Sequence, residues 1–157
     1  MSEITIEIIP FSSEYASEIK ILNIEWLEKY FEVEESDKKT LSNPQLEIID
    51  KGGKIFYAKY QNQIVGTVSL LKIDSFTFEL SKMAVTEKVQ GLGIGKKLID
   101  YCILYAKENG IKKLILYSNT ILVPAINMYK KYGFVEITLS SSIYKRSNIK
   151  MEKIIDY

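Results

Sequence analysis

Histidine is absent from all 157 positions of the chain. This excludes Ser-His-Asp and Cys-His catalysis, His-ligated zinc and imidazole proton transfer. Cysteine occurs once, as Cys102, which excludes an internal disulfide and any cysteine-cluster metal or iron–sulfur site. A lone cysteine in an apolar helix reads as packing. An excess of either charge is missing too: 21 Lys and Arg face 20 Asp and Glu, a net charge of +1. No broad basic field exists to hold nucleic acid or an anionic membrane. No apolar run approaches ~18 residues, so no membrane-spanning helix is expected. Met1–Pro10 alternates acidic residues with isoleucine and lacks the form of a signal peptide. These absences set the expectation of a single domain, 1–157, in a reduced cytoplasmic setting. It is expected to use no metal and to be a monomer or homodimer.

What is present suffices for one core, with 46% hydrophobic and 26% charged residues. Ile4, Ile6 and Ile8 alternate as a half-buried strand does. Ile19, Leu22, Trp26 and Tyr30 follow Ser12–Ser13 at helical spacing, and Asn43–Pro44 starts a shorter helix that stops before Gly52–Gly53. Lys54–Tyr60 and Ile64–Lys72 read as strands around a Gln61–Asn62 turn. Phe76–Val85 is a further strand with a fault in its pattern. Phe76, Phe78 and Leu80 share one parity, Met83 and Val85 the other. Either a β-bulge near Ser81–Lys82 or a strand buried on both faces accounts for this.

From Gly93 to Asn109 the chain is helical, with Gly110 as its stop, and Leu114–Tyr117 is a continuous apolar run. Strand, helix and buried strand make a βαβ unit, so its two strands are parallel with a right-handed crossover. A helix from about Pro124 to Tyr132 and closing strands Phe134–Leu139 and Tyr144–Ile154 complete an α/β (α+β) pattern. The expected architecture is a mixed sheet with helices on both faces.

The strongest local signal is Gln90-Gly91-Leu92-Gly93-Ile94-Gly95-Lys96 between a strand and a helix. Such a loop lets backbone N–H groups approach an anion, and the helix N-terminus adds partial positive charge. A diphosphate is the natural guest. The glycine spacing is not that of the dinucleotide fingerprint, and no Ser or Thr follows Lys96 as a Walker loop requires. A plain turn capping a helix is the alternative.

Gln90-x-x-Gly93-x-Gly95 resembles the acetyl-CoA pyrophosphate loop of the GCN5-related N-acetyltransferases (GNAT). Leu80-Ser-Lys-Met83-Ala-Val85 looks like the strand leading into that loop. Asn119, Pro124-Ala125-Ile126 and Tyr129-Lys-Lys-Tyr132-Gly133-Phe134 resemble the family's later Asn, Ala and Tyr-x-x-x-Gly-Phe segments. The resemblance implies the GNAT fold: a mixed, mostly antiparallel sheet of six to seven strands with a splayed parallel pair. It also implies an acetyl-CoA-dependent N-acetyltransferase acting directly on an amine acceptor. A non-catalytic CoA-binding or ligand-sensing domain of the same fold is the alternative.

By the same resemblance, backbone at Met83, Ala84 and Val85 binds pantetheine. Gln90, Gly91, Leu92, Gly93, Ile94, Gly95 and Lys96 hold the pyrophosphate, and Asn119, Ala125 and Tyr129 complete the cofactor site. Tyr129 matches the tyrosine that faces the CoA sulfur and is the expected acid. Its phenol, of reference pKa ~10, stands against a thiol of ~8.5. Glu79, six residues before Val85, matches the glutamate base of some members, with a chain of waters as the alternative. Asn119 bonds pantetheine or a catalytic water. On the acceptor side, Glu25, Glu28, Glu32, Glu34, Glu35 and Asp37 gather around Trp26, Tyr30 and Phe31. These form either an acidic, aromatic rim for a cationic amine, with Trp26, Tyr30 and Glu79 touching it, or a solvated helix face.

Overall fold

The computed structural model describes residues 5–89, 91–139 and 144–156. Along the chain run β1 (Ile6–Pro10), α1 (Ala16–Tyr30), α2 (Glu35–Ser42), a π-helical turn (Gln45–Ile49), β2 (Lys54–Tyr60), β3 (Gln63–Lys72) and β4 (Thr77–Val85). Then follow α3 (Ile94–Glu108), β5 (Lys113–Ser118), α4 (Val123–Lys131), β6 (Val135–Ile137) and β7 (Ile149–Ile154). The strands form one sheet in the order β1-β2-β3-β4-β5-β7-β6. Only β4 and β5 pair in parallel; the other neighbours are antiparallel. Mixed sheet, parallel pair and strand number agree with the sequence expectation. Ile4 lies outside the described residues.

Both faces of the sheet are covered, and β2 shows how. Ile55 and Tyr57 pack with Ile19 and Leu27 of α1, Leu41 of α2 and Ile48 of the π-helical turn. Their neighbours Phe56 and Ala58 point the other way, to Leu98, Ile99 and Cys102 of α3. Alternation by one residue thus feeds two cores, and the strand reads as a continuous apolar run. Cys102 is fully buried in the second core, where burial pushes its thiol pKa up. It is packing, as expected.

The fault in β4 is a bulge. Thr67 pairs with Ala84 but Ser69 pairs with Ser81, so Val68 alone faces Lys82 and Met83. Lys82 takes φ +52°, a left-handed conformation that a non-glycine residue adopts only under local constraint. Upstream, Phe78, Glu79 and Leu80 are all buried, so β4 is also covered on both faces there.

Two expectations need correction. The acidic stretch after Tyr30 contains a helix of its own, α2, opened by a reciprocal capping box between Glu34 and Asp37. Apolar periodicity did not reveal it because its burial rests on Leu41 and a charged residue, Asp37. The last strand begins at Ile149, not Tyr144. Tyr144 and Arg146 are drawn instead into a charged cluster under α2, and Asn148 donates its N–H to Ser118 to start the ladder.

Leu98 fixes α3, and with it the glycine loop, onto the sheet at zero exposure. Leu98→Ala is expected to lower unfolding free energy by about 2–5 kcal/mol, the usual cost of a buried leucine cavity, as read from urea denaturation.

Candidate functional site

Parallel pairing of β4 with β5 covers only Thr77–Glu79 against Lys113–Ile115. Beyond it the strands diverge, and a cavity opens between Leu80–Met83 on one side and Leu116–Asn119 on the other. Asn23, Trp26 and Leu27 of α1, with Phe31 after it, close one wall, and Leu122, Ala125 and Tyr129 line another. Asn23 also holds the bulge in place, donating its side-chain amide to the Lys82 carbonyl at 3.1 Å. The bulge therefore fixes α1 against the opening.

The glycine loop lies between β4 and α3. Gly91 and Gly93 have φ of +86° and +73°, and Gly93 caps α3 in the left-handed region. A Cβ at Gly91, Gly93 or Gly95 would meet no atom within 4 Å. The space over the loop is open, and the first turn of α3 presents N–H groups without intrahelical acceptors. Ile94 is buried and Leu92 packs against the core, so their side chains anchor the loop and leave its backbone to a ligand. The carbonyl of Lys96 accepts from the Tyr132 hydroxyl at 3.3 Å. This arrangement fits a diphosphate. Gln90 lies outside the described residues.

At the floor of the cavity sits Glu79, 2% exposed. Burial raises its carboxyl pKa above the ordinary range, partly opposed by hydrogen bonds from Tyr144 and Ser81 and by the charges of Lys82 and Lys150. The Tyr144 hydroxyl donates to Oε2 at 2.9 Å. A carboxyl group that resists ionisation and faces a cavity is suited to exchange a proton near neutral pH.

Tyr129 also lines the cavity, edge-on to Phe134 with centroids 5.9 Å apart. Burial pushes its phenol up to about 12. Its hydroxyl has no hydrogen-bond partner among the described residues, whereas the buried Tyr57 hydroxyl donates to the Tyr15 carbonyl. Asn119 lines the cavity with its carboxamide largely engaged: Nδ2 donates to the Arg146 carbonyl at 2.7 Å and Oδ1 accepts from Ile121 at 3.0 Å. Its evident task is to tie the end of β5 to the segment before β7. Met83 and Ala125 reach the cavity, while Ala84 and Val85 continue β4 beyond it, paired to Thr67 and Gly66. Trp26 lines the cavity. Tyr30 does not; it is 41% exposed and packs on the outer side of Trp26, with Lys29 over its ring.

Sequence reasoning missed a charged cluster on the cavity wall. Lys82, its side chain 4% exposed, donates to Asp37 at 2.8 Å. Arg146 donates to both Asp37 oxygens at 2.7 and 3.0 Å and to Glu34 at 2.8 Å. Burial pushes the Asp37 carboxyl up, but Arg146, Lys82 and the Glu34 amide together overcome it and hold its pKa below the usual range. Tyr144 lies between the cations, with Lys82 Nζ and Arg146 Cζ 5.0 and 4.9 Å from its ring centroid. The bulge at Ser81–Lys82 was the one signal pointing here; the pairing itself spans more than a hundred residues between Asp37 and Arg146.

A sequence model described as "Acetyltransferase (GNAT) family" matches residues 19–134, which include both arms of the cavity, the glycine loop and α4. A crystal structure of a GNAT-family acetyltransferase from Staphylococcus aureus Mu50 superposes with a TM-score of 0.86 at 26% identity, covering 97% of this chain and 100% of that one. Ard1 from Thermoplasma volcanium shares the fold at TM-score 0.80 and 21% identity, over 98% of this chain and 100% of that one. Among curated proteins, N-acetyltransferase 8B of Rattus norvegicus is 28% identical over 90 residues, 54% of this chain and 40% of that protein. The chain thus spans about two fifths of the length of such curated relatives. Splayed strands, glycine loop and family match agree: the chain belongs to the GNAT acetyltransferase family.

Proposed function

We propose that the protein is an acetyl-CoA-dependent N-acetyltransferase that passes the acetyl group directly to a primary amine in the cavity beside Glu79. One observation carries this reading. The gap between β4 and β5 brings a buried acid and an unpartnered phenol to one cavity, next to a loop shaped for a diphosphate.

Acetyl-CoA would supply an acyl group activated as a thioester. Gly91, Gly93, Gly95 and the α3 N-terminus are suited to its pyrophosphate, and the diverging edge of β4 at Met83–Val85 to its pantetheine arm. Lys96 contributes through its backbone at the same turn. Ala125, small and on the cavity wall, leaves room for the arm. Asn119 acts by holding the end of β5.

Glu79 takes the proton that the amine must lose to become a nucleophile. Tyr129, on the wall of the same cavity, is assigned to the departing sulfur. With its pKa raised to about 12 it stays protonated, and complete transfer to a thiolate of ordinary pKa ~8.5 would run uphill. Its contribution is therefore a hydrogen bond that strengthens as charge grows on sulfur.

Three outcomes test this assignment. Tyr129→Phe should lower kcat by about 10²-fold or more while acetyl-CoA affinity, measured by calorimetry, is unchanged; unaltered turnover would remove the phenol from the mechanism. Glu79→Gln should abolish the acidic limb of the kcat/KM profile, because only the ionised carboxyl accepts a proton and its raised pKa sets where that limb falls. Tyr144→Phe should move the limb to higher pH, since the lost hydrogen bond favours the carboxylate. Carboxyl ¹³C NMR of Glu79 reads the same displacement without turnover.

A further inference from the structure

The cavity wall carries two buried or half-buried cations, Lys82 and Arg146, and this is unexpected beside a site proposed to receive an amine. An ammonium would be repelled by either if its charge stood free. Neither does. Asp37 takes a hydrogen bond from Lys82 and two from Arg146, and Glu34 takes a fourth. Two carboxylates of α2 and its cap thus cancel two cations. Glu79, on the cavity floor, is the acidic group left outside that balance. Lys150 of β7 also bears on Glu79, but it sits over the Tyr117 ring and does not line the cavity.

Resting on the reading of this cavity as the acceptor site, we propose that Asp37, with Glu34, is a specificity-determining group that makes the site select cationic amines lacking a neighbouring carboxylate. Trp26, Phe31, Tyr117 and Tyr144 surround the amine with aromatic faces and edges, which favour a cation and an apolar body. A carboxylate on the carbon bearing the amine would need an unpaired cation; here the charges of Lys82 and Arg146 are already paired with Asp37 and Glu34, and the acceptor's carboxylate would face ionised Glu79 as a like charge. Asp37 touches no reacting atom. It acts through Lys82 and Arg146, and releasing them would weaken the preference.

The test uses matched pairs that differ only by the carboxylate: phenethylamine against phenylalanine, and 1,4-diaminobutane against ornithine. Thiol release from acetyl-CoA gives kcat/KM for each, and calorimetric titration of the same compounds gives Kd without turnover. The wild-type protein should favour the decarboxylated member of at least one pair by about 100-fold or more. Asp37→Asn should shrink that ratio at least about 10-fold by improving the carboxylated partner as well as weakening the amine. Glu34→Gln, at the less deeply buried end of the cluster and isosteric at the cap, should move the ratio the same way by several-fold and guards against a misfolded Asp37 variant. Turnover with no discrimination within any pair, or a ratio unmoved in both variants, overturns the inference and leaves the acetyltransferase reading standing. Discrimination in binding with no turnover of any amine supports the inference and overturns that reading. No binding by either member of any pair overturns the inference.

Discussion

A parallel strand pair must either continue or come apart, and everything distinctive in this molecule follows from its coming apart after three residues. The edge of β4 beyond Glu79 faces a gap instead of β5, so its peptide groups are available to a ligand. Such exposure of backbone inside a sheet is costly unless other partners are supplied. The molecule supplies some of them locally. The extra residue at Lys82 bends β4 away, and Asn23 of α1 takes up the Lys82 carbonyl. The gap is therefore held open by covalent geometry and one buried amide, not by looseness.

The same residue carries the second constraint. A left-handed lysine at the bulge sends a charged side chain inward, where an unpaired ammonium would be expensive. Asp37 answers it, and Arg146 joins from a segment far along the chain. Three separate stretches, α2, β4 and the approach to β7, are thereby tied at one point on the cavity wall. An ionic cluster of this kind adds little net stability relative to well-packed apolar residues, but it fixes where charge lies and where it is cancelled. The apolar cores on the two faces of the sheet provide the stability; the cluster provides the electrostatic shape of the opening.

Much of this was legible in the residues themselves. Alternation in β1, the strands β2 and β3 about the Gln61–Asn62 turn, the apolar run of β5, the glycine stops of α3 and α4 and the parity fault in β4 all have local causes, and each appears where those causes place it. The glycine loop was legible because positive φ at Gly91 and Gly93 is a local requirement. What stayed hidden was non-local. Helix α2 is held by an ion pair and a capping box instead of an apolar stripe, and Tyr144 reads as strand until its hydroxyl is seen on Glu79. Tyr30, at the same helical spacing as Trp26, is the last residue of α1 and packs beside Trp26 without reaching the cavity. Charged residues reveal burial only through partners, and partners distant in sequence leave no periodic trace.

The strand order has a further consequence for synthesis. β7 lies between β5 and β6, so neither has its outer neighbour until residues 149–154 have been made. On the ribosome, a nascent chain that ends before Ile149 already contains β5, whose edge is bare along all six residues, and β6, which has no strand to join. The peptide N–H and C=O groups along that edge of β5 would then be open to solvent and to pairing with other chains. Between translating β5 and translating β7, that edge stands open to such pairing.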